Sequence, residues 1–533
     1  MRKIFILLAM DNLSRKMPVG IQDFEKLRSS GYFYVDKTAY VYTLAKECRP
    51  YFLGRPRRFG KSLFLSTLKA FFLGKKELFD GLAIAELEKE WIEYPVIYID
   101  FNLGSSDSLQ SVEIALCAMF DDYERKWGIN EKYDQLSVRF TKLIKTAYEK
   151  SGKKVVVLID EYDKALVNTM DNPQIHDALR VFFKGFYGVL KGMDYALRFV
   201  FLTGVSKFAK VSVFSDLNQL IDISLVGQYA EICGISEAEL LEQFQPELHE
   251  LAKATEKTYD ETVAEVKKRY DGYRFAPTGA SMYNPFSILN TFMHNFYNYY
   301  WYKTGTTTFL ANILRNSHFD IRKLNCDVII SVNDIDDYRA GETSLTPLLY
   351  QTGYLTIKSY NASIHSFTLG FPNEEVKYGF LNQLLPAYIP KWGLDDSFSI
   401  ITFIMAFQSG NIDEFMNLLR AYYASIPYDL EDNRDKDEKY YQLVFYLLFT
   451  NLGQFVDTEV KSAQGRADAV VKTTDSIYVF EFKMGGNSTA EEALAQIDDK
   501  GYLIPYIADH RRLVKIGIEF SPEAKGIKRW LVG

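Results

Sequence analysis

Tyr51-Phe52-Leu53-Gly54-Arg55-Pro56-Arg57-Arg58-Phe59-Gly60-Lys61-Ser62 reads as the end of a strand, a loop and the start of a helix. Tyr51–Gly54 is a short buried strand, and from Lys61 to Leu73 the apolar residues recur at helical spacing. A loop in that setting wraps phosphates with its backbone amides. Lys61 is then expected to reach the terminal phosphates and the Ser62 hydroxyl to hold Mg²⁺. The usual first glycine, five positions before Gly60, is replaced by Arg55; Gly54 falls one position early and Pro56 stiffens the turn.

The partner of such a loop stands about a hundred residues on. Val155-Val156-Val157-Leu158-Ile159 is a continuous apolar run that delivers Asp160 and Glu161 to its carboxyl end. Asp160 is expected to bind Mg²⁺ through water and Glu161 to orient the attacking water. Without Gly60-Lys61-Ser62 the same run would read as a core strand ending in a solvated acidic turn. Further strands at Val96–Phe101, Arg198–Thr203 and Leu220–Leu225, with helical patterns between, make a parallel α/β sheet. A strand between the two motifs and another after the second suit the subclass with an adjacent catalytic glutamate. Thr203 is a candidate sensor of the γ-phosphate, and Ser206 a second one. Arg57, Arg58, Phe59 and Gly60 belong to the nucleotide loop, and Arg55, Arg57 and Arg58 are alternatives for stabilising transition-state charge or for meeting a partner surface.

A second constellation lies near the carboxyl terminus. Gly465-Arg466-Ala467-Asp468 is followed by Tyr478-Val479-Phe480-Glu481-Phe482-Lys483, and the surrounding pattern is helix (Tyr440–Leu452), three strands (Phe455–Val460, Arg466–Val471, Ile477–Lys483) and helix (Ala490–Tyr502). Glu481 and Lys483, two apart on a strand, share one face, and the neighbouring strand brings Asp468 alongside. Asp468 and Glu481 are oxygen ligands of the kind Mg²⁺ prefers, with Lys483 placed to position the water or stabilise the transition state. Glu438 is a further candidate for the metal shell. The alternative is an exposed strand with coincidental charges, which the apolar alternation and the following helix oppose.

Between the two, residues 230 to about 300 read as a helical lid, with Ser236 as N-cap and Glu239 three positions later. Asp271 and Arg274 are expected to be structural. From about 300 to 430 the pattern is mixed helix with one short strand, Tyr354–Lys358. The charged run Leu430–Glu438 is the linker candidate.

Composition narrows the rest. A chain of 533 residues, 47% hydrophobic and 25% charged, is globular and divides into several domains. The net charge of −7 argues against broad nonspecific affinity for nucleic acid, and from Glu431 onward 17 Asp/Glu outnumber 14 Lys/Arg. A nucleic-acid groove there has to be a local basic patch. The 37 Tyr and 39 Phe are read as core packing rather than base stacking. Cys48, Cys117, Cys233 and Cys326 have no CxxC spacing, so a reduced cytoplasmic setting is expected. Met1–Met10 imitates a leader but is followed by Asp11, Asn12, Arg15 and Lys16 without a small-residue cleavage site, and Met10 and Met17 are alternative starts.

Several strings are similar to those of a large bacterial family of AAA-ATPase-like proteins: Pro18-Val19-Gly20-Ile21-Gln22-Asp23-Phe24, Tyr34-Val35-Asp36-Lys37-Thr38, the Arg55–Ser62 loop and Asp160-Glu161-Tyr162-Asp163. Tyr270-Asp271-Gly272-Tyr273-Arg274-Phe275, Tyr283-Asn284-Pro285-Phe286-Ser287 and Gln351-Thr352-Gly353-Tyr354-Leu355 extend the resemblance, and the C-terminal segment resembles the PD-(D/E)XK nuclease-like domain that ends such chains. The arginine-rich loop is usual there. The resemblance implies a P-loop NTPase domain at 18–229 after an extension at 1–17, a mainly helical lid and middle region at 230–430, and a restriction-endonuclease-like α/β domain at 431–533. It also implies ATP as the nucleotide, and gives Gln496 and Tyr502 as a helix motif near the metal and its water or DNA. The function expected is an ATPase that regulates or positions a Mg²⁺-dependent (or Mn²⁺-dependent) nuclease acting on DNA rather than RNA, in defence or mobile-element biology by analogy, with no membrane and an oligomer open. The alternative is a nucleotide-dependent switch whose nuclease-like domain only docks a partner.

Overall fold

The computed structural model describes residues 15–170, 172–206, 219–302, 328–336, 345–388, 410–425, 465–472, 476–485, 488–521 and 526–533, with short pieces at 403, 406, 441, 444–447, 456–458 and 461–462. The chain forms two compact units, Met1–Phe309 with Leu324–Val376, and Leu310–Lys323 with Lys377–Gly533. Glu438 and the whole of the expected 430–438 linker lie outside the described residues.

The first unit is built on a five-stranded parallel sheet. Its strands are β1 (Pro50–Gly54), β2 (Val96–Asp100), β3 (Val155–Asp160), β4 (Leu197–Gly204) and β5 (Ile221–Asp222), in the order β2-β3-β4-β1-β5. Every residue of β3 is buried, as a strand covered by helices on both faces requires. Strand β4 lies between the strand that feeds the phosphate loop and the strand that carries the acidic pair, with Leu53 level with Thr203 and Ile159 with Leu202. All five strands run the same way, so Gly54, Asp100, Asp160 and Gly204 meet at one carboxyl edge, where ligands of open α/β sheets bind. The helix Lys61–Phe72 leaves the loop with Phe64, Leu65, Leu68, Phe71 and Phe72 buried. At about 2 kcal/mol per large apolar side chain, that face holds the helix and fixes where its first turn points.

The lid follows. A two-residue pair, β6 (Ile235–Ser236) with β7 (Met282–Tyr283), frames helices Glu237–Gln243, Gln245–Ala254, Tyr259–Tyr270 and Pro285–His294. Ser236 and Glu239 form the expected capping box. The amino-terminal segment packs into this lid through Met17, Phe33 and Val35, and Lys37 pairs with Glu239 at 2.5 Å. Asp271 accepts from the Ser281 hydroxyl at 2.8 Å and Arg274 donates to the Lys358 carbonyl at 2.8 Å, so both act within the scaffold. Where one strand was expected, the structure has three: β8 (Val328–Ser331), β9 (Thr356–Asn361) and β10 (Ser366–Gly370), in the order β8-β10-β9. The added strands are too short to show a period in the sequence.

In the second unit β11 (Val456–Thr458), β14 (Ala469–Lys472), β15 (Ser476–Met484), β16 (Arg512–Ser521) and β17 (Gly526–Val532) form a mixed sheet in the order β11-β14-β15-β16-β17, while β12 (Lys461–Ser462) pairs with β13 (Gly465–Arg466). Only β15 and β16 are parallel. The crossover between them carries helix Ala490–Asp499, capped by Thr489 and Glu492. Helix Ile412–Ser425 belongs to this unit, with Asp413 accepting from the Trp530 indole at 3.1 Å and Tyr423 packed on Phe520. Among the described residues no helix is long and apolar enough to cross a membrane.

Candidate active sites

In the first unit, β1 ends at Gly54 and the loop runs to Gly60, which caps helix Lys61–Phe72 in the left-handed conformation (φ 94°). Of the non-glycine residues at positive φ, which also include Cys48, Trp91, Glu256, Asn295 and His365, Arg58 (65°) and Glu161 (50°) fall at the site. Left-handed backbone at such a residue costs on the order of 1 kcal/mol.

The Lys61 ammonium is buried. It donates to the carbonyls of Arg55 and Pro56, each at 3.1 Å, and stands 3.5 Å from Glu161 Oε1. Asp160 is 1% exposed, accepts from the Ser62 hydroxyl and takes the Glu161 N–H on Oδ1 at 3.1 Å. Burial pushes its carboxyl up to about 7, with the charges of Glu161 and Asp100 adding and Ser62 and Lys61 opposing. A carboxyl so placed is relieved by a cation. Ser62 and Asp160 are both oxygen donors, the chemistry that fits Mg²⁺.

Lys61, Ser62 and Glu161, though not Asp160, line a cavity of about 380 Å³, within the size range of small-ligand sites. Its lining combines Arg57, Arg58, Lys61, Ser62, Glu161 and Lys164 with the apolar Pro18, Ile21, Leu63, Phe286 and Leu289. The cations suit a polyphosphate and the apolar side chains a ring.

The remaining loop residues divide. Arg55 is 1% exposed and turned inward, donating to the carbonyls of Gly54 (2.9 Å), Ser224 (2.8 Å) and Tyr229 (2.9 Å) while its guanidinium lies 4.3 Å from the Phe275 ring. Phe59 is buried against Tyr273 and Phe275. Arg58 lies over the Phe286 ring at 5.0 Å. Thr203 is fully buried, its hydroxyl has no hydrogen-bond partner, and Val205 rather than Thr203 lines the cavity. Ser206 donates its hydroxyl to Asp163 at 2.5 Å.

Asp163 was not singled out in the sequence. Its buried carboxylate also accepts the N–H groups of Val205 (3.2 Å) and Ser206 (2.5 Å), while the Tyr162 hydroxyl donates to the Ser206 carbonyl at 2.8 Å. Burial pushes Asp163 up to about 6 against those donors. The acidic turn is thereby clamped to the tip of β4. A second support is likewise invisible in sequence: the Trp301 indole donates to the Arg57 carbonyl at 3.0 Å, and Glu375, 1% exposed, accepts from Ser287 Oγ (2.6 Å) and from the Trp301 N–H (2.7 Å).

In the second unit β15 is the middle strand. Ala469 is level with Phe480, so Asp468 stands beside Glu481, and Asp468 Oδ2 accepts the Phe482 N–H at 2.8 Å. Phe482 points to the other face, onto Phe445 and Phe520. Helix Ala490–Asp499 approaches closely because β16 has Gly517 beneath it; a Cβ there would fall 2.4 Å from the Ala490 carbonyl oxygen. The approach sets Gln496 over the carboxylate. Its amide donates to Glu481 Oε1 and accepts from the Lys483 ammonium at 2.7 Å, while Lys483 stands 3.3 Å from the same Oε1. Tyr502, 4% exposed, lies 3.4 Å from the Gln496 amide nitrogen.

Glu481 is 3% exposed and its Oε2 is buried without a hydrogen-bond partner. Burial, with the neighbouring Asp468 charge, pushes its carboxyl up to about 7, and Lys483 opposes the rise. An orphaned carboxylate oxygen beside a second carboxylate fits a hard divalent cation. Among the described residues no group of three His, Cys, Asp or Glu side chains gathers to hold a metal. Glu519, level with Lys483 on β16, is buried and paired with Lys528 at 2.7 Å.

A family model described as a predicted AAA-ATPase matches residues 18–214, and one for the PD-(D/E)XK nuclease superfamily matches residues 436–530. An "uncharacterized protein in vnfD 5'region" of Azotobacter chroococcum mcd 1 is 35% identical over 525 residues, covering 97% of this chain and 99% of that protein. The chain belongs to that family of AAA-ATPase-like proteins with a C-terminal PD-(D/E)XK nuclease superfamily domain. Its AAA-ATPase-like match contains the Lys61–Glu161 cavity edge, and its nuclease-superfamily match contains Asp468, Glu481, Lys483 and Gln496.

Proposed function

We propose that this protein hydrolyses ATP in its first unit and that the nucleotide state regulates or positions a nuclease in its second, acting on DNA in the bacterial cytoplasm. We assign the ATPase to 18–229, the lid and middle region to 230–430 and the nuclease to 431–533. Lys61 and the loop amides bind the phosphates, Ser62 and Asp160 are the Mg²⁺ ligands, and Glu161 orients the water. Ser206 clamps the acidic turn through Asp163, and Thr203 is kept as the proposed sensor, its hydroxyl buried two residues before the cavity-lining Val205. In the nuclease, Asp468 and Glu481 hold Mg²⁺ or Mn²⁺, Lys483 holds the attacking water or the phosphate, and Gln496 keeps Lys483 and Glu481 in register. The cation, when bound, supplies an acidified water and neutralises charge on the phosphate.

The single observation that supports the reading is the buried, half-unsatisfied Glu481 carboxylate beside Asp468 and bridged to Lys483 by Gln496, two carboxylates and a cation gathered at one place on the sheet. A defence or mobile-element setting rests on analogy alone. The acidic balance after Glu431, 17 against 14, favours a second reading: a nucleotide-dependent switch that docks a partner without cutting. Incubating single- and double-stranded DNA with the chain, Mg²⁺ or Mn²⁺, with and without ATP, separates them. Cleavage lost in Lys483→Ala and altered in Lys61→Ala supports the coupled nuclease. ATP turnover without cleavage under any condition supports the switch.

A further inference from the structure

The cavity of the first unit is lined by Lys164, a cation to which no role has been given. Lys164 opens the helix Lys164–Asn168, its N–H on the Glu161 carbonyl at 3.0 Å, so its side chain leaves the backbone one turn beyond the carboxylate assigned to the water. That side chain is half-buried and lines the cavity beside Lys61, Ser62 and Glu161. The other cations there are engaged: Lys61 with two carbonyls and Glu161, Arg58 with Phe286, and Arg57 also has a partner. The Lys164 ammonium has no hydrogen-bond or ionic partner among the described residues. Asp163, which also lines the cavity, has its carboxylate oxygens committed to the clamp with Val205 and Ser206. A half-buried ammonium left unpaired is unfavourable, and an anion entering the cavity removes that penalty.

We infer that Lys164 is a catalytic residue of ATP hydrolysis, neutralising the γ-phosphoryl oxygens in the transition state from within the same chain; this rests on the ATPase reading. In the step it serves, the water oxygen forms a bond to the γ-phosphorus while the bond from that phosphorus to the β–γ bridging oxygen breaks. The bonding pair leaves with ADP, the water proton passes by way of Glu161 to the products, and the negative charge concentrates on the equatorial oxygens of the moving group. Lys61 approaches those oxygens from the loop side and Lys164 from the acidic-turn side. With the second cation supplied in cis, no arginine from another copy is needed.

The test uses the full chain as wild type, Lys164→Ala, Lys164→Gln and Lys164→Arg. Steady-state Mg²⁺-ATP turnover is measured together with equilibrium binding of ADP, alone and with aluminium fluoride, which imitates the transferring phosphoryl group. Lys164→Ala is expected to lose roughly 100-fold in turnover and a similar factor in the tightening by aluminium fluoride, while binding ADP within about twofold of wild type. Lys164→Arg recovers part of both, and wild-type turnover per chain holds constant over about a tenfold dilution. If Lys164→Ala melts early, Lys164→Gln, which keeps most of the stem, takes its place. Turnover and aluminium fluoride tightening undiminished in the variants would overturn the inference, as would wild-type turnover per chain that falls on dilution. A wild-type chain that neither hydrolyses ATP nor tightens on ADP with aluminium fluoride sinks the ATPase reading itself, and the role of Lys164 with it.

Discussion

Thr203 and Ser206, three residues apart at the end of β4, are separated by a single hydrogen bond. The Ser206 hydroxyl is committed to Asp163, whereas that of Thr203 is buried without a partner. Ser206→Ala should therefore cost stability, about 1–2 kcal/mol from the orphaned Asp163 oxygen, and leave ATP turnover within a few-fold of wild type. Urea midpoints and steady-state turnover check the two halves of that expectation; a large kinetic loss without a shifted midpoint would instead make Ser206 the sensor. In the second unit the corresponding detail is the Gln496 amide. Gln496→Ala removes a donor from Glu481 Oε1 and the acceptor of Lys483. Loss of the donor pushes the Glu481 carboxyl further up, so DNA cleavage should fall roughly 10- to 100-fold at neutral pH and its rising limb should move to higher pH. A pH–rate profile in Mg²⁺ reads this directly. Of the site residues, Lys61, Asp160 and Glu481 were singled out because each sits at a fixed offset from an apolar run, and Gln496 only through the family resemblance. The roles of Asp163 and Arg55 were not legible. A carboxylate that clamps a neighbouring strand and a guanidinium stacked on Phe275, 220 positions away in the 533-residue numbering, depend on contacts that no local window contains.

At the level of elements, the strands and the loop helix followed from periodicity, and what holds the loop did not. Gly353 is at φ 90° after helix Thr346–Gln351, and a Cβ there would lie 2.6 Å from the Pro56 side chain and 3.5 Å from Trp301. Gly353→Ala is thus strained in its own backbone and pushes on the phosphate loop. ATP affinity should drop about tenfold or more, with the far-ultraviolet signal of the whole chain unchanged; nucleotide binding by calorimetry tests it. The Glu375 carboxyl joins helix Pro285–His294 to the Tyr300–Trp301 turn, and burial pushes it up to about 7 despite its donors. Its folded value is above the unfolded one, so the folded chain holds the extra proton between roughly pH 4.3 and 7. Stability is then highest below that window and declines as pH rises through about 7. Glu375→Gln keeps the shape and an acceptor but does not titrate. It should flatten the decline between about pH 5 and 8 by on the order of 2 kcal/mol. Denaturant midpoints followed by tryptophan fluorescence at the two pH values measure it, with Asp160 and Asp163 contributing equally to both chains. Of the sheet β8-β10-β9 the sequence showed one strand, at Tyr354–Lys358, and missed β8 and β10 for a related reason. Strands of four and five residues are too short to separate alternation from chance.

For the whole molecule, charge is the property the sequence made plainest, and it constrains how the proposed DNA substrate can be held. A chain of net charge −7, whose segment after Glu431 carries 17 acidic against 14 basic residues, cannot rely on lysine and arginine to neutralise many phosphates. Among the described residues of the second unit several cations are themselves occupied: Lys483 with Gln496 and Glu481, Lys515 with Asp498, Lys528 with Glu519, and Arg529 with Glu491. Metal held at Asp468 and Glu481 is then a main source of positive charge facing a scissile phosphate, and binding should be conditional on it. Calcium allows this to be seen without cleavage, because it shares the oxygen preference of magnesium while activating water less well. Fluorescence anisotropy of a labelled duplex should give at least tenfold tighter binding in Ca²⁺ than in chelator. The dependence of log affinity on log salt should have a slope no steeper than about −3, corresponding to some three neutralised phosphates. Asp468→Asn should abolish the calcium effect and leave the shallow slope. Tight binding in chelator with a steep slope would mean that a basic surface elsewhere, rather than the metal site, recruits the DNA, and would shift attention away from Glu481 as the centre of recognition.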